Sequence, residues 1–136
     1  MLFWKKRRVA ETGFVHWRIK KRCLEMILES SKSTYPNEFG ALLRAHGNLI
    51  TEVILLPGTV EGESHAIFNF AMLPIDYSIV GTVHSHPSGN PTPSDADLQL
   101  FSKRGRIHII VAMPFDEHSW RSYDGHGNSV DIEVVE

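Results

Sequence analysis

The chain has a single cysteine, Cys23, among 136 residues, so an intrachain disulfide is excluded and a reducing compartment suits it. No apolar run approaches the roughly 20 residues that a membrane-spanning helix needs. The opening MLFWKKRR is unlike a secretory leader. Its basic cluster follows the apolar residues, and no apolar stretch with a small-residue cleavage site comes next. These absences lead us to expect a cytoplasmic protein with no membrane partner. Repeats, linkers and low-complexity segments are also missing. The apolar and charged fractions, 42% and 22%, are those of an ordinary globular chain. At 15.4 kDa the expectation is one domain, long enough for a continuous core that buries about two-thirds of the unfolded surface.

The net charge of −2 hides an asymmetry. Residues 1–22 carry eight Lys/Arg against one acid, Glu11, a balance of +7. The rest carries six against fifteen, a balance of −9. Residues 1–14 read as a basic N-terminal segment, flexible or an edge strand, and residues 15–136 as the folded domain. The basic stretch could serve as a handle for nucleic acid, an acidic partner or a membrane surface, or be a solvated extension.

Along the domain, residues 14–19 alternate as a strand does. From Lys20 the period changes. Cys23, Leu24, Ile27, Leu28 and Ser31 share one helical stripe, and the helix must end before Tyr35-Pro36. Residues 39–43 and 49–56 read as a hairpin, 65–72 as a third strand and 77–84 as a fourth, apolar on both faces and therefore central. A helix over 94–104 with Leu98 and Phe101 facing inward, then strands over 107–112, 120–123 and 130–135, complete the order. The pattern β-α-β-β-β-β-α-β-β-β predicts an α+β fold, a mixed sheet flanked by two main helices.

The chemistry concentrates in VHSHPSGNPTPSDADL. On a strand, residues i and i+2 share a face, so His84 and His86 project together while Ser85 points away. A catalytic zinc takes three N, S or O ligands from protein and keeps one position for water. Asp97 is a natural third ligand. It sits in the first turn of the next helix, where the helix dipole favours the ionised carboxylate. Ser94-x-x-Asp97 also resembles a capping box, a purely structural reading. His-x-His alone is a weak signal, whereas the full spacing H-x-H-x₇-S-x₂-D is far more specific.

Those residues resemble the JAMM, or MPN-plus, metalloprotease motif: an upstream glutamate, then H-[S/T]-H-P-x₆-S-x₂-D. It reads here as Glu38, His84-Ser85-His86-Pro87, Ser94 and Asp97. The segments GTVHSHPS and YPNEFGALL look most like the small archaeal members. The resemblance spans roughly residues 17–136 and leaves out the basic N-terminal segment. It implies a curved mixed sheet of JAMM/MPN-like, cytidine-deaminase-like architecture and one Zn²⁺ per chain held by His84, His86 and Asp97. It further implies Glu38 as general base and Ser94 as hydrogen-bond donor to the oxyanion. The implied activity is isopeptide hydrolysis after the Gly-Gly tail of a ubiquitin-like modifier, or processing of a sulfur-carrier tail. The implied partners are that protein and its lysine-linked target. One departure stands out. Many members have Glu-x-x-Gly, but here the glycine, Gly40, comes one place early and Ala41 fills its usual slot.

Two other classes compete. HPSGNPTPS resembles the RadC-like family, which is associated with nucleic acid, although that family has Asn where Ser85 stands and no helix-hairpin-helix segment precedes the domain here. A scaffold that has lost catalysis is the other, and the complete ligand set argues against it. Of the remaining histidines, His108 reads as a satisfied core residue, His46 and His126 as exposed turn residues, and His65 and His118 as possible neighbours of the site. No base lies near Cys23 in the pattern, so a cysteine nucleophile is not expected.

Overall fold

The computed structural model describes residues 15–55 and 76–136. Strand β1 (Trp17–Lys20) runs straight into helix α1 (Lys21–Thr34). A hairpin of β2 (Gly40–His46) and β3 (Leu49–Ile54) follows, then β4 (Ile79–His86), α2 (Asp95–Lys103), β5 (Ile107–Ala112) and β6 (Trp120–Tyr123). Two short strands, β7 (Ser129–Val130) and β8 (Ile132–Val135), end the chain. Among the described residues the strands form one mixed sheet in the order β7-β6-β5-β4-β2-β3-β1-β8. The fold is α+β, as expected. The strand expected over 65–72 and the basic segment 1–14 lie outside the described residues.

The α1 stripe buries Cys23, Leu24, Ile27, Leu28 and Ser31, as the spacing predicts. These side chains pack on Trp17, Ile19, Leu43, Ile50, Val83 and Ile109 in the main core. Each large apolar side chain buried this way contributes about 1.5–3 kcal/mol. Burial pushes the Cys23 thiol up to about 11, against the pull of Arg22, so it is no nucleophile near neutrality. Strand β4 lies in the middle of the sheet and is buried along most of its length. Gly81 makes that possible, because a Cβ there would overlap the carbonyl oxygen of Ile107 on β5.

Three expectations are corrected. The single strand read over 130–135 is two strands, β7 pairing with β6 and β8 pairing with β1, at opposite edges of the sheet. Only Asp131 separates them, so the sheet curls until its edges nearly meet. Strand β4 begins at Ile79 and continues through His86, so both histidines lie within it. Leu98 faces outward, 38% exposed, and the buried stripe of α2 is Asp97 and Phe101. Asp97 and Phe101 are four residues apart and share a face, while Leu98 is turned about 100° from Asp97.

His108 is fully buried and only half satisfied. Its Nδ1 pairs with Thr82 Oγ1 at 2.8 Å, while Nε2 has no hydrogen-bond partner. Burial lowers its pKa to about 4, and the nearby carbonyls of Gly105 and Phe101 are too weak to restore it. In the unfolded chain an ordinary histidine protonates near 6.5, so between pH 6.5 and 4 the unfolded state binds the proton and the folded state does not. Stability is therefore expected to fall with pH across that window, by about 3 kcal/mol in total. A His108→Gln variant should lose that slope. Urea unfolding of both proteins between pH 7 and 4 checks this, and parallel curves would refute it.

Candidate metal centre and active site

The sheet topology brings three chain segments to one end of β4. Strand β2 runs antiparallel to β4 with Gly40 opposite His84, and β5 runs parallel to it with Ala112 opposite His86. Past the Gly40–His84 pair, Ser85 N donates to the Phe39 carbonyl and keeps residue 39 beside Ser85, so Glu38 comes next to the end of β4. His84 and His86 share one face of that strand. Gly40 adds no side chain opposite His84, while Ala41 turns into the core.

Asp97 arrives from α2 and meets both imidazoles. His84 Nε2 lies 3.0 Å from Asp97 Oδ1, and His86 Nε2 lies 3.1 Å from Oδ2. The two Nε2 atoms are 3.2 Å apart. A tetrahedral zinc with bonds of about 2.0–2.2 Å separates its ligand atoms by about 3.3 Å. One donor atom from each of His84, His86 and Asp97 lies within 4.8 Å of the other two, and the donor set of two imidazoles and a carboxylate is one that zinc takes. His86 Nδ1 donates to the Asn90 carbonyl at 2.9 Å, which leaves Nε2 as the ligating nitrogen of the neutral ring. His84 Nδ1 is buried without a hydrogen-bond partner.

Electrostatics agree with the geometry. Burial opposes the charged form of Asp97, yet hydrogen bonds from His84, His86 and the Ser94 amide outweigh it and hold the carboxyl well below the usual carboxylate range. Burial also works against His86⁺, but Asp97, the Asn90 carbonyl and Glu38 raise its pKa above the ordinary value. Burial pushes the half-buried Glu38 carboxyl up to about 7, with His86 pulling it down and Asp97 adding to the rise. Glu38 is thus close enough to feel both ligands and sits near neutrality, where a general base works best.

The capping box is real and shares atoms with the site. Ser94 Oγ accepts from Asp97 N at 3.1 Å, and Asp97 Oδ2 accepts from Ser94 N at 2.9 Å. The cap and the metal cluster therefore share Asp97. Capping uses a lone pair of the exposed Ser94 hydroxyl and leaves its proton to donate. The loop between the histidines and α2 is pinned by Tyr123 Oη to the Pro91 carbonyl (2.9 Å) and by Thr92 N to Asn90 Oδ1 (3.0 Å). Phe101 stacks on His108 and Tyr123, 4.3 and 5.9 Å between ring centres, and comes within 6.5 Å of His84. The Asn90 carbonyl that holds His86 and the Pro91 carbonyl that holds Tyr123 had no signature in the sequence, because any residue supplies a main-chain carbonyl. His118 does not join the cluster. It is exposed and lines a groove against α1 with Phe115 and Glu117. His46 and His126 are exposed, as expected, and His65 lies outside the described residues.

Residues 20–123 match the family model described as prokaryotic homologs of the JAB domain. The chain belongs to that family. A probable metalloprotease of Haloferax volcanii is 37% identical over 123 residues, covering 83% of this chain and 76% of that protein. The crystal structure of a JAB1/MPN domain protein from Archaeoglobus fulgidus is 43% identical, with a TM-score of 0.72 over 88% of this chain and 99% of that one. A structure described as a JAMM metalloprotease-like zinc site in the proteasome and signalosome is 39% identical, with a TM-score of 0.72 over 90% of this chain and all of that one. With the His84–His86–Asp97 cluster, these matches make zinc the cofactor of this JAB-family protein and a metalloprotease-like hydrolase its class. Among the described residues no helix is long and apolar enough to cross a membrane.

Proposed function

We propose that this JAB-family protein is a zinc isopeptidase that hydrolyses the amide bond after the C-terminal Gly-Gly tail of a ubiquitin-like modifier. The observation that carries the reading is the His84–His86–Asp97 cluster, with the half-buried Glu38 close enough to feel both His86 and Asp97. His84, His86 and Asp97 would hold the ion. Bound there, zinc supplies a Lewis acid and lowers the pKa of water from 15.7 to about 7. Glu38 takes a proton from the attacking water and passes it to the departing lysine amine as the C–N bond breaks. Ser94 Oγ–H donates to the carbonyl oxygen as it becomes an oxyanion. An extended Gly-Gly tail suits docking as an added strand, since main-chain hydrogen bonds bind it and glycine needs no side-chain room. The balance of −9 outside residues 1–22 favours a modifier with a basic face.

The test is a panel of Gly-Gly-lysine isopeptide substrates with the purified protein. Cleavage that stops with chelator and returns with zinc supports the reading, and an inert zinc-loaded protein overturns it. Ser94→Ala is expected to cut turnover a few hundred-fold, in line with the ~2.7–4 kcal/mol that one oxyanion donor supplies. The lost cap adds about 1 kcal/mol of destabilisation, visible in urea. Zinc content should stay at one per chain, and a fall in bound metal would make Ser94 structural.

A further inference from the structure

The short segment that carries Glu38 is anchored on both sides. Before it, Asn37 N donates to the Thr34 carbonyl at the end of α1, at 2.9 Å. After it, Phe39 and Ser85 exchange two bonds. Ser85 N donates to the Phe39 carbonyl at 2.9 Å, and Phe39 N donates to Ser85 Oγ at 2.8 Å. In a regular antiparallel pair the second bond would reach the Ser85 main-chain carbonyl. The hydroxyl takes its place, so the β2–β4 ladder stops one residue short of Glu38. Ser85 is fully buried, and its side chain leaves the face of β4 opposite to His84 and His86.

We propose that Ser85 is a positioning residue, whose hydroxyl aims the Glu38 carboxylate at the metal cluster by holding the Phe39 amide. This rests on Glu38 being the general base. The amide that Ser85 holds belongs to the peptide bond joining Glu38 to Phe39, so the plane of that peptide, and with it the direction of Glu38, follows from the hydroxyl. Without it the Phe39 N–H either stays buried and unpaired or turns to the Ser85 carbonyl and lengthens the ladder. Both outcomes move Glu38. A misplacement of about 1 Å in a reacting group costs about 100-fold in rate.

The experiment compares wild type, Ser85→Ala, Glu38→Gln and the double variant. Three quantities are read: zinc content, kcat and KM on a Gly-Gly-lysine isopeptide, and hydrogen exchange of the Phe39 amide in zinc-free protein. Ser85→Ala is expected to keep one zinc per chain and a KM within about two-fold of wild type. Its kcat should fall about 10–100-fold and its Phe39 amide should exchange faster. Adding Ser85→Ala to Glu38→Gln should slow turnover no further. Wild-type kcat in Ser85→Ala, loss of zinc along with kcat, or an equal slowing in both backgrounds overturns the proposal. A Glu38→Gln protein with full turnover defeats the base reading on its own, before any Ser85 variant is considered. If no isopeptide is cleaved, the exchange experiment still decides, and an unchanged Phe39 amide overturns the tether. Should Ser85→Ala fail to fold, Ser85→Cys keeps a weaker acceptor at the same place. It must then show a smaller loss confined to kcat, and wild-type kcat in it overturns the proposal.

Discussion

Glu38→Gln is expected to hold one zinc per chain, unfold at neutral pH at a urea concentration no lower than wild type's because a buried charge is removed, and turn over about 10²–10⁴-fold more slowly. Glutamine matches glutamate in size, so it fills the same half-buried position. The lost property is the ability to accept a proton. Wild-type Glu38 is suited to that task because burial lifts its carboxyl to about 7, so it can take and return a proton near neutrality. No neighbour can replace it. Asp97, the other acid of the site, commits its oxygens to His84, His86 and the Ser94 amide and stays ionised far below neutral pH. Single-turnover rates with metal analysis separate the outcomes. Full activity would remove Glu38 from the chemistry, and loss of zinc would make it a ligand rather than a base.

The metal cluster was legible in the sequence because both of its spacings are geometric. Two histidines at i and i+2 must share a strand face, and an acid in the first turn of the next helix must point back along the connecting loop. Glu38 was not legible that way. It precedes a strand like any surface acid, and only the resemblance singled it out. What places it is the pairing of Gly40 with His84, a contact between residues 44 apart in the chain. The helix face of α2 was misread for a related reason. Leu98 and Phe101 look like an apolar stripe, but Asp97 takes the buried position because two imidazoles and a backbone amide meet its charge there. The break at Asp131 was also hidden, since SVDIEVV reads as one alternating run. The curvature that sends its two halves to opposite edges is a property of the whole sheet.

The other large effect belongs to Asp97. Asp97→Asn is expected to lose zinc on dialysis, with an affinity loss beyond the 10–100-fold typical of groups that merely support a ligand. Asparagine is the informative choice, because its side-chain oxygen can still accept from Ser94 N and preserve much of the cap. The zinc-free variant should therefore fold, but melt below zinc-free wild type, because the charge that His84 and His86 meet is gone. The decisive difference appears when metal is added. Free zinc at about 100 times its Kd stabilises wild type by about 2.7 kcal/mol. For a chain of this size that is a rise in Tm of about 5–15 °C. The variant should show none at the same concentration. Two imidazole Nε2 atoms 3.2 Å apart on one strand supply two corners of a tetrahedron. Without the third, the ion gives up hydration for too few bonds and for no negative charge. A variant that kept zinc and the full thermal shift would place the third ligand elsewhere, and the role of α2 would shrink to a well-capped helix.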